Sequence, residues 1–468
     1  MHRGRLSALL ALVCVAGFLT TLDNTVINVA LPTLRSELGL NIADLEWVAS
    51  SYVLSFGALL LAGGRLTDLC GRRPVLTAGL VVFTLASAAA ALAASGTALI
   101  AARAVQGAGA ALVIPASLAI VAADLPERRR STAVGLWTAA LAVALALGPV
   151  IGGLVTEHWG WSWVFLLNVP FGGLALLLVP AVPSAGPGRP AGRLAVLLDL
   201  PGVALSACSL FLLTYALVKG GEDTFTAPPV PLCLGLSAAT GLAFLVVEAR
   251  TRLPLLDLRM LRDRFLVGGI AAQVLWGMGV NGVFFFTALY LQQVLGFSPV
   301  EAGLAFLPLA AALLLCTPFA ERAARLAGGA HRSIAAGLAL VAAGLLLVAQ
   351  AGAGAAYADL QPGLVLIGVG SSLTTPLTVR SVEAVPASRT GTASGLVSAA
   401  REISGVFGVV LIGIVLTRTE RDALRDGADP PTAFLDGYDT GLRLAAMCVS
   451  VGALITLATL RRRARGGA

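Results

Sequence analysis

GRLTDLCGRRP, residues 64–74, lies between two long apolar runs, 46–63 and 75–94. Three of its eleven residues are arginine. Each flanking run is close to the roughly 20 apolar residues that a helix needs to cross a bilayer. Short loops rich in arginine and lysine lie on the cytoplasmic side of membrane proteins. The stretch therefore predicts a cytoplasmic turn between two membrane-spanning helices.

The same stretch carries residues for a tight turn and for an ion pair. Gly64 and Gly71 are expected to interrupt the helices at its two ends. Asp68 precedes Arg72 and Arg73, and an acid among arginines at a helix end can pair with a neighbouring helix and separate when the helices move. A solvated loop that only sets the topology is the alternative interpretation of the charges. We interpret these five residues as a candidate gating loop.

The composition is typical of a membrane protein. Of the 468 residues, 57% are hydrophobic and 12% are charged, whereas soluble domains carry about 25% charged residues. The net charge of +7 comes from arginines in short loops between apolar runs, so membrane topology explains it better than binding to nucleic acid. The six cysteines form no CxxC pair and the three histidines lie far apart, which predicts no metal site.

Fourteen apolar runs are long enough to cross a membrane. If both termini are cytoplasmic, the inner segments carry 24 of the 32 Lys and Arg, and the outer loops carry 5. This asymmetry predicts that both termini lie in the cytoplasm. The runs cover residues 6–30, 46–63, 75–94, 97–121, 132–156, 162–182, 196–217, 229–249, 265–291, 299–319, 332–350, 360–379, 391–416 and 440–460.

The chain repeats itself internally. STAVGLWTAALAVALALG at 131–148 aligns with GTASGLVSAAREISGVFG at 391–408, and two shorter matches occur at nearly the same offset. Transporters built from two homologous halves bind their substrate between the halves, near the middle of the membrane. We therefore predict an N-terminal six-helix bundle at 1–182, a linker with two extra transmembrane helices at 183–264 and a C-terminal six-helix bundle at 265–468.

Asp23 is an ionisable residue inside the first apolar run, so a functional role is the default interpretation. An interfacial acid near the outer end is the alternative. At about 1.5 Å per residue, Arg103 on the fourth run also lies in the outer part of the membrane, where the two residues can pair. A buried pair keeps the acid ionised, and its disruption lets the acid take a proton. The first helix also carries a polar stripe that should face a cavity, made of Thr21, Asn24, Thr25 and Asn28.

Four stretches together resemble the fourteen-helix drug–proton antiporter family of the major facilitator superfamily. They are LDNTVINVALP at 22–32, GRLTDLCGRRP at 64–74, RAVQGAGAA at 103–111 and GPVIGG at 148–153. The resemblance covers nearly the whole chain and implies an all-α fold of that superfamily, with fourteen transmembrane helices arranged as six, two and six. It also implies a coupling role for Arg103, for which structural anchoring is the alternative, and places Gln106 of the same motif beside the substrate cavity.

GPVIGG resembles the signature of antiporters within the superfamily. Its glycines allow two helices to slide with their backbones in contact, and its proline adds a bend. The resemblance favours export over import. The residues of this helix-packing motif are Gly135, Gly148, Pro149, Gly152 and Gly153.

The second half carries two adjacent charges, Arg401 and Glu402, about ten residues into the thirteenth run and therefore near mid-membrane. The family has a comparable Arg, more often followed by Gln, so Glu402 is a departure from its pattern. Glu402 is a candidate second proton site or counter-ion for a cationic substrate; alternatively, it only offsets Arg401. Four residues of the ninth run are candidates for lining the cavity, with plain packing as the alternative: Gln273, Trp276, Asn281 and Phe285.

These features predict a proton-coupled antiporter that exports amphipathic organic compounds, such as drugs or antibiotics, across the cytoplasmic membrane by alternating access. A narrow-specificity metabolite exporter or facilitator of the same fold is the alternative. An enzyme or receptor is disfavoured, because the sequence shows no nucleophile or metal cluster and no soluble domain. No phosphate-binding loop is present, so the proton gradient, without any cofactor, is the expected energy source. The expected partners are small organic substrates, protons and lipid, without nucleic acid, and the expected state is a monomer.

Overall fold

The computed structural model describes residues 3–124, 127–183, 199–222, 224–251, 254, 256–352, 354–382 and 390–460. Within these ranges the regular structure is helical and there is no β-strand. A helix satisfies its backbone hydrogen bonds within one segment, as a chain surrounded by lipid requires. The prediction of an all-α protein is confirmed.

Thirteen helices in the described part of the chain are long and apolar enough to cross a membrane. We number the helices at the fourteen predicted spans α1 to α14. Two of them are interrupted within the span: α6 between Leu166 and Asn168, and α10 between Ala305 and Leu307. The bounds are α1 Arg3–Leu38, α2 Ile42–Cys70, α3 Arg72–Ala91, α4 Gly96–Asp124, α5 Glu127–Trp159, α6 Ser162–Ala181, α7 Leu200–Glu222, α8 Val230–Arg250, α9 Arg264–Gln293, α10 Pro299–Leu326, α11 Ala330–Ala349, α12 Tyr357–Leu373, α13 Thr390–Arg425 and α14 Pro430–Thr459.

The predicted span at 360–379 differs from the other thirteen because its helix is too short to count among the thirteen span-length helices. α12 has 17 residues and ends at Leu373, and a short helix, Leu377–Val382, follows it. Pro376 stands in the turn between them, and proline lacks the N–H that would continue a helix. Fourteen apolar helical segments are therefore present, with the twelfth broken near its end.

The stretch at 64–74 folds differently from the predicted turn with a glycine at each end. α2 continues through both Gly64 and Asp68. Gly71 alone makes the turn, with a φ of 92° that glycine adopts without steric cost, and α3 begins at Arg72. The prediction that Gly64 interrupts a helix is wrong, because a single glycine weakens a helix without necessarily ending it.

By its internal contacts the chain divides into two compact units. The first comprises Met1–Leu255 with Phe285–Leu307, and the second comprises Leu256–Phe284 with Pro308–Ala468. The end of α9 and the start of α10 thus belong to the first unit. The predicted domain boundaries, which follow the sequence repeat, stay a prediction.

Polar contacts with α1 help to hold the end of α9 in the first unit. The Arg35 guanidinium donates from Nη1 to Oε1 of Gln293 at 3.0 Å. The amide of Gln292 donates from Nε2 to the carbonyl of Val29, also at 3.0 Å. Both bonds lie at the C-terminal ends of the two helices, so they connect one end of α1 to one end of α9.

Each unit contains a helix pair in which glycines on both partners bring the backbones into contact. In the first unit α3 and α4 meet at Gly79 and Gly109, where a Cβ on either residue would lie 3.0 Å from the carbonyl oxygen of the other. In the second unit α11 and α12 meet at Gly337 and Gly370, where the corresponding distances are 2.6 and 2.5 Å. Larger residues would force these helices apart. The two pairs occupy corresponding positions of the internal repeat.

Candidate functional site

The two charges predicted to pair in the membrane, Asp23 on α1 and Arg103 on α4, form an ion pair in the first unit. Both side chains are completely buried. Burying a charge is costly unless it is paired and hydrogen-bonded. The pair therefore needs further partners around it, and the neighbouring helices supply them.

Three side chains hold the carboxylate of Asp23. Arg103 donates from Nη1 to Oδ2. Gln106 donates from Nε2 to Oδ1 at 2.7 Å, and Asn168 on α6 donates from Nδ2 to the same oxygen at 2.6 Å. A carboxylate accepts hydrogen bonds on both oxygens, whereas a protonated acid must donate one. Both oxygens of Asp23 are therefore hydrogen-bonded.

The guanidinium of Arg103 lies between two aromatic rings. Its Cζ is 4.4 Å from the ring centroid of Tyr52 and 5.7 Å from that of Phe165, and such rings attract a cation. Nε donates to the carbonyl of Val48 at 3.2 Å, and Nη1 also donates to Oε1 of Gln106 at 2.7 Å. Nη2 has no hydrogen-bond partner among the described residues. The cation is thus held from several sides, with one nitrogen left unsatisfied.

Hydrogen bonds extend this network to α2 and α3. Gln106 donates from Nε2 to Oγ of Ser87 at 2.7 Å. The hydroxyl of Tyr52 donates to the carbonyl of Thr20 at 3.0 Å, which joins α2 to α1. We call the set the Asp23 cluster; its members, drawn from five helices and all buried, are Asp23, Tyr52, Ser87, Arg103, Gln106 and Asn168.

Gln106 is a member of the Asp23 cluster. This residue is expected from the sequence to lie beside the substrate cavity. In the structure it is completely buried, and both ends of its amide bind cluster members. The helical face that carries Arg103 also carries the residue three positions later, so both side chains enter the same buried network. The predicted place of Gln106 beside the cavity stays a prediction.

The four residues of the polar stripe of α1 differ in how deeply they are buried. Thr25 is buried, and its hydroxyl donates to the carbonyl of Ala144 on α5 at 3.4 Å. The predicted place of Thr25 beside a cavity stays a prediction. Thr21, Asn24 and Asn28 are half-buried, and these three remain candidates for lining a substrate path.

α5 carries the predicted packing motif in one uninterrupted helix that includes Gly135 and Pro149. Gly148 and Gly152 lie against α1, where a Cβ on Gly152 would come 2.5 Å from a backbone carbonyl oxygen. Gly153 lies against the backbone at the start of α10, where a Cβ would overlap a carbonyl oxygen. The motif thus brings the backbone of α5 into direct contact with two other helices of the first unit.

We expect Gly153→Ala to lower stability by about 1–3 kcal/mol, because the added methyl group overlaps the carbonyl of Pro299 and forces the helices apart. The same contact includes a hydrogen bond of 3.0 Å from the Val300 amide to Oε2 of Glu157. Thermal unfolding of the purified protein in detergent measures the loss. Gly173→Ala on α6 is the matched control, since nothing lies within 4 Å of its Cβ position. Equal losses in both variants would contradict this account of the contact.

Comparison with known proteins identifies the family. The model of the Major Facilitator Superfamily matches residues 13–409, most of the chain. The chain belongs to the Major Facilitator Superfamily. The resemblance noted in the sequence is confirmed.

Curated relatives in the superfamily carry the names of export and resistance proteins. The chain is 39% identical over 454 residues to the cephamycin export protein CmcT of Amycolatopsis lactamdurans, covering 94% of this chain and 90% of that protein. It is 34% identical over 461 residues to the puromycin resistance protein pur8 of Streptomyces alboniger, with coverages of 96% and 90%. It is 35% identical over 420 residues to the multidrug resistance protein Stp of Mycobacterium tuberculosis, with coverages of 89% and 76%.

A solved structure supports the fold. The chain matches the crystal structure of a bacterial homologue of the human lysosomal transporter Spinster, in an inward-facing and unoccupied conformation, with a TM-score of 0.67 and 18% identity. The match covers 98% of this chain and 97% of that chain. The predicted superfamily fold and multi-pass membrane location are confirmed.

Among the described residues, the ion pair predicted for Asp68 of the candidate gating loop is not formed, and the gating role of this loop stays a prediction. Asp68 is exposed on the last turn of α2, and within the described ranges it forms no ion pair. Arg72 and Arg73 are half-buried in the first turn of α3. The charges of the loop are present at the predicted place, while the ion pair expected between Asp68 and a neighbouring helix is not made in this structure.

The residues predicted on the ninth span fall into two groups. Gln273 and Phe285 are buried, and their predicted place beside the cavity stays a prediction. Trp276 and Asn281 are half-buried. The Trp276 indole donates from Nε1 to Oγ of Ser371 on α12 at 3.3 Å. Of the four predicted residues on this helix, Trp276 and Asn281 are therefore the two with partly exposed side chains.

The charged pair predicted on the thirteenth span lies on α13 in the second unit. Arg401 donates from Nη2 to Oε1 of Glu402 at 2.7 Å, and 51% of the arginine side chain is exposed against 17% of the glutamate. The exposed charge of this pair is therefore the guanidinium. The Asp23 cluster in the first unit has the opposite arrangement, since both of its charges are buried.

Proposed function

We propose that this chain is a proton-coupled antiporter that exports small amphipathic organic compounds across the cytoplasmic membrane by alternating access. The Asp23 cluster carries the proposal, because it holds a buried acid inside a membrane span whose charge is balanced by one arginine. Ionisable residues inside spans are rare and typically mark proton or substrate pathways. The names of the relatives support antibiotics and other drugs as the substrate class.

In the proposed cycle Asp23 takes up and releases the proton. While Arg103, Gln106 and Asn168 donate to its carboxylate, the ionised acid is favoured. These donors belong to α4 and α6, so movement of α1 relative to those helices withdraws them. A buried carboxylate without donors is most stable when it takes a proton. Proton uptake is thereby linked to helix movement, and release follows when the donors return.

The remaining parts of the proposal follow from topology and family. Both termini are cytoplasmic, as the distribution of arginine indicates. The relatives are named as exporters and resistance proteins rather than enzymes, and we propose no catalytic step. The protein acts as a monomer without a bound cofactor, and the proton gradient supplies the energy.

Everted membrane vesicles test the proposed function. The vesicles are energised so that their interior is acidic, and a lipophilic organic dye is added outside. We expect dye to accumulate inside vesicles that contain the protein and to be released when an uncoupler collapses the gradient. Vesicles without the protein are the control. Accumulation that resists the uncoupler would contradict proton coupling, and absence of transport for dyes and antibiotics alike would favour the narrow-specificity exporter.

A further inference from the structure

We propose that Arg401 binds a carboxylate group of the exported compound, so that substrates with an acidic group are preferred. The proposal rests on the proposed function, since it names the substrate class of that transporter. It starts from the charged pair on α13. In the structure the pair lies in the first half of α13, within the apolar span Leu396–Arg425.

The geometry of the pair leaves one edge of the guanidinium open. Arg401 donates from Nε at 3.1 Å and from Nη2 at 2.7 Å, both to Oε1 of Glu402. Both bonds therefore use the same edge of the planar group. The opposite edge, formed by Nη1 and the second N–H of Nη2, takes no part in the pair. Half of the arginine side chain is exposed, and we take this edge as the one that a ligand contacts.

The helical face of Arg401 turns toward α9. Gly405 and Gly408 lie on the same face of α13, one and two turns later. A Cβ on Gly405 would come 3.0 Å from the amide of Asn281, and one on Gly408 would overlap the backbone of Met278. Both positions are thus packed against α9. An exposed side chain on this face lies beside α9, and a cation within a span is disfavoured where it faces lipid.

The α9 backbone also comes close to Arg401 itself. A Cβ on Gly277 would lie 3.3 Å from the carbonyl oxygen of Arg401. The half-buried Trp276 precedes this glycine. A bound compound at the open edge of the guanidinium would therefore have α9 beside it.

The chemistry of the open edge selects the ligand. Two parallel N–H groups of a guanidinium match the two oxygens of a carboxylate. Arginine stays protonated in proteins, so the site keeps its positive charge throughout the proton cycle. The sequence alone suggests Glu402 as a counter-ion for a cationic substrate. In the structure the Glu402 carboxylate is mostly covered and engaged by Arg401, so the accessible charge favours an anionic group.

Binding of two dyes to the purified protein tests the proposal. Tetramethylrhodamine carries a free carboxylate, and its methyl ester has the same rings without that charge. We expect the wild-type protein to bind the acid about tenfold more tightly than the ester, because a hydrogen-bonded charge pair contributes about that factor or more. Fluorescence anisotropy gives both dissociation constants. Equal affinities, tighter binding of the ester, or no binding of either dye would overturn the proposal.

Variants of Arg401 and Glu402 give a second test, in which the affinity for the acid dye is divided by the affinity for the ester dye. We expect Arg401→Gln to bring the ratio near one and Glu402→Gln to raise it, since the second change frees the whole guanidinium. Arg401→Lys keeps the charge and should retain part of the preference. An unchanged ratio in Arg401→Gln would contradict the proposal, and the wild-type comparison decides the matter if that variant does not fold.

Transport of the same dyes separates this inference from the proposed function. If the acid binds more tightly but its uptake into everted vesicles does not respond to an uncoupler, the proposed function fails while the Arg401 site stands. If uptake of both dyes responds to the uncoupler and their affinities are equal, proton-coupled export stands while the Arg401 site fails. The two failures therefore give different results in the same pair of experiments.

Discussion

Replacing Asp23 with Asn is expected to reduce proton-driven export to the level of vesicles that lack the protein. Asparagine has nearly the same shape as aspartate but takes up no proton, so the step that links the gradient to helix movement is lost. The protein is still expected to fold, at lower stability. Arg103 keeps its bonds to Val48 and Gln106, and the new amide still offers an oxygen as an acceptor.

Two transport assays distinguish loss of coupling from loss of the whole protein. Uptake against a gradient in everted vesicles measures the coupled reaction and should disappear. Exchange of labelled for unlabelled dye without a proton gradient needs only the alternating movement, and we expect it to persist in Asp23→Asn. Asp422→Asn is a matched control, because its pair with Arg425 is highly exposed and such pairs contribute little. Full uphill transport by Asp23→Asn would remove this acid from the mechanism.

Depth along a helix is predictable from the sequence, whereas neighbours between helices are not. The rise per residue places Asp23 and Arg103 at compatible depths, and the structure brings them together. The sequence indicates that Asn168 needs a hydrogen-bond partner, because its amide lies inside an apolar run. The run does not show which residue that partner is. The sequence gives no such indication for Ser87, because a serine hydroxyl can donate to a backbone carbonyl of its own helix, as Ser87 does, and then needs no partner on another helix.

Helical periodicity similarly predicts which residues share one face of a helix, but it does not predict what packs against that face. Thr25 lies on the polar stripe of α1 as the period requires, yet Gly148 on α5 leaves room for the two helices to touch there. Phe285 lies in a span expected to line the cavity, yet it is buried against Phe286 and the surrounding helices. Fold class and number of helices follow from apolar length. The assignment of each side chain to packing or to a substrate path depends on contacts that only the folded chain defines.

Replacing Arg103 with Gln is expected to lower the stability of the protein by about 3–5 kcal/mol, because it leaves the buried carboxylate of Asp23 without its counter-ion. The shorter side chain also leaves space between the rings of Tyr52 and Phe165, which now flank the guanidinium. Thermal unfolding in detergent measures the loss. The matched control is Arg443→Gln, whose ion pair on α14 is partly exposed; we expect a change of about 0–1 kcal/mol there.

The double variant Asp23→Asn with Arg103→Gln shows whether the charges or the packing cause the instability. With both charges removed, no uncompensated charge remains in the cluster, so the double variant should be more stable than Arg103→Gln alone. It should nevertheless fail in uphill transport, since it also lacks the ionisable acid. Additive losses from the two substitutions would contradict the coupling of Asp23 with Arg103 and would reduce the cluster to a packing element. A double variant that is stable but has no coupled transport would show that the fold does not need the buried ion pair, whereas transport does.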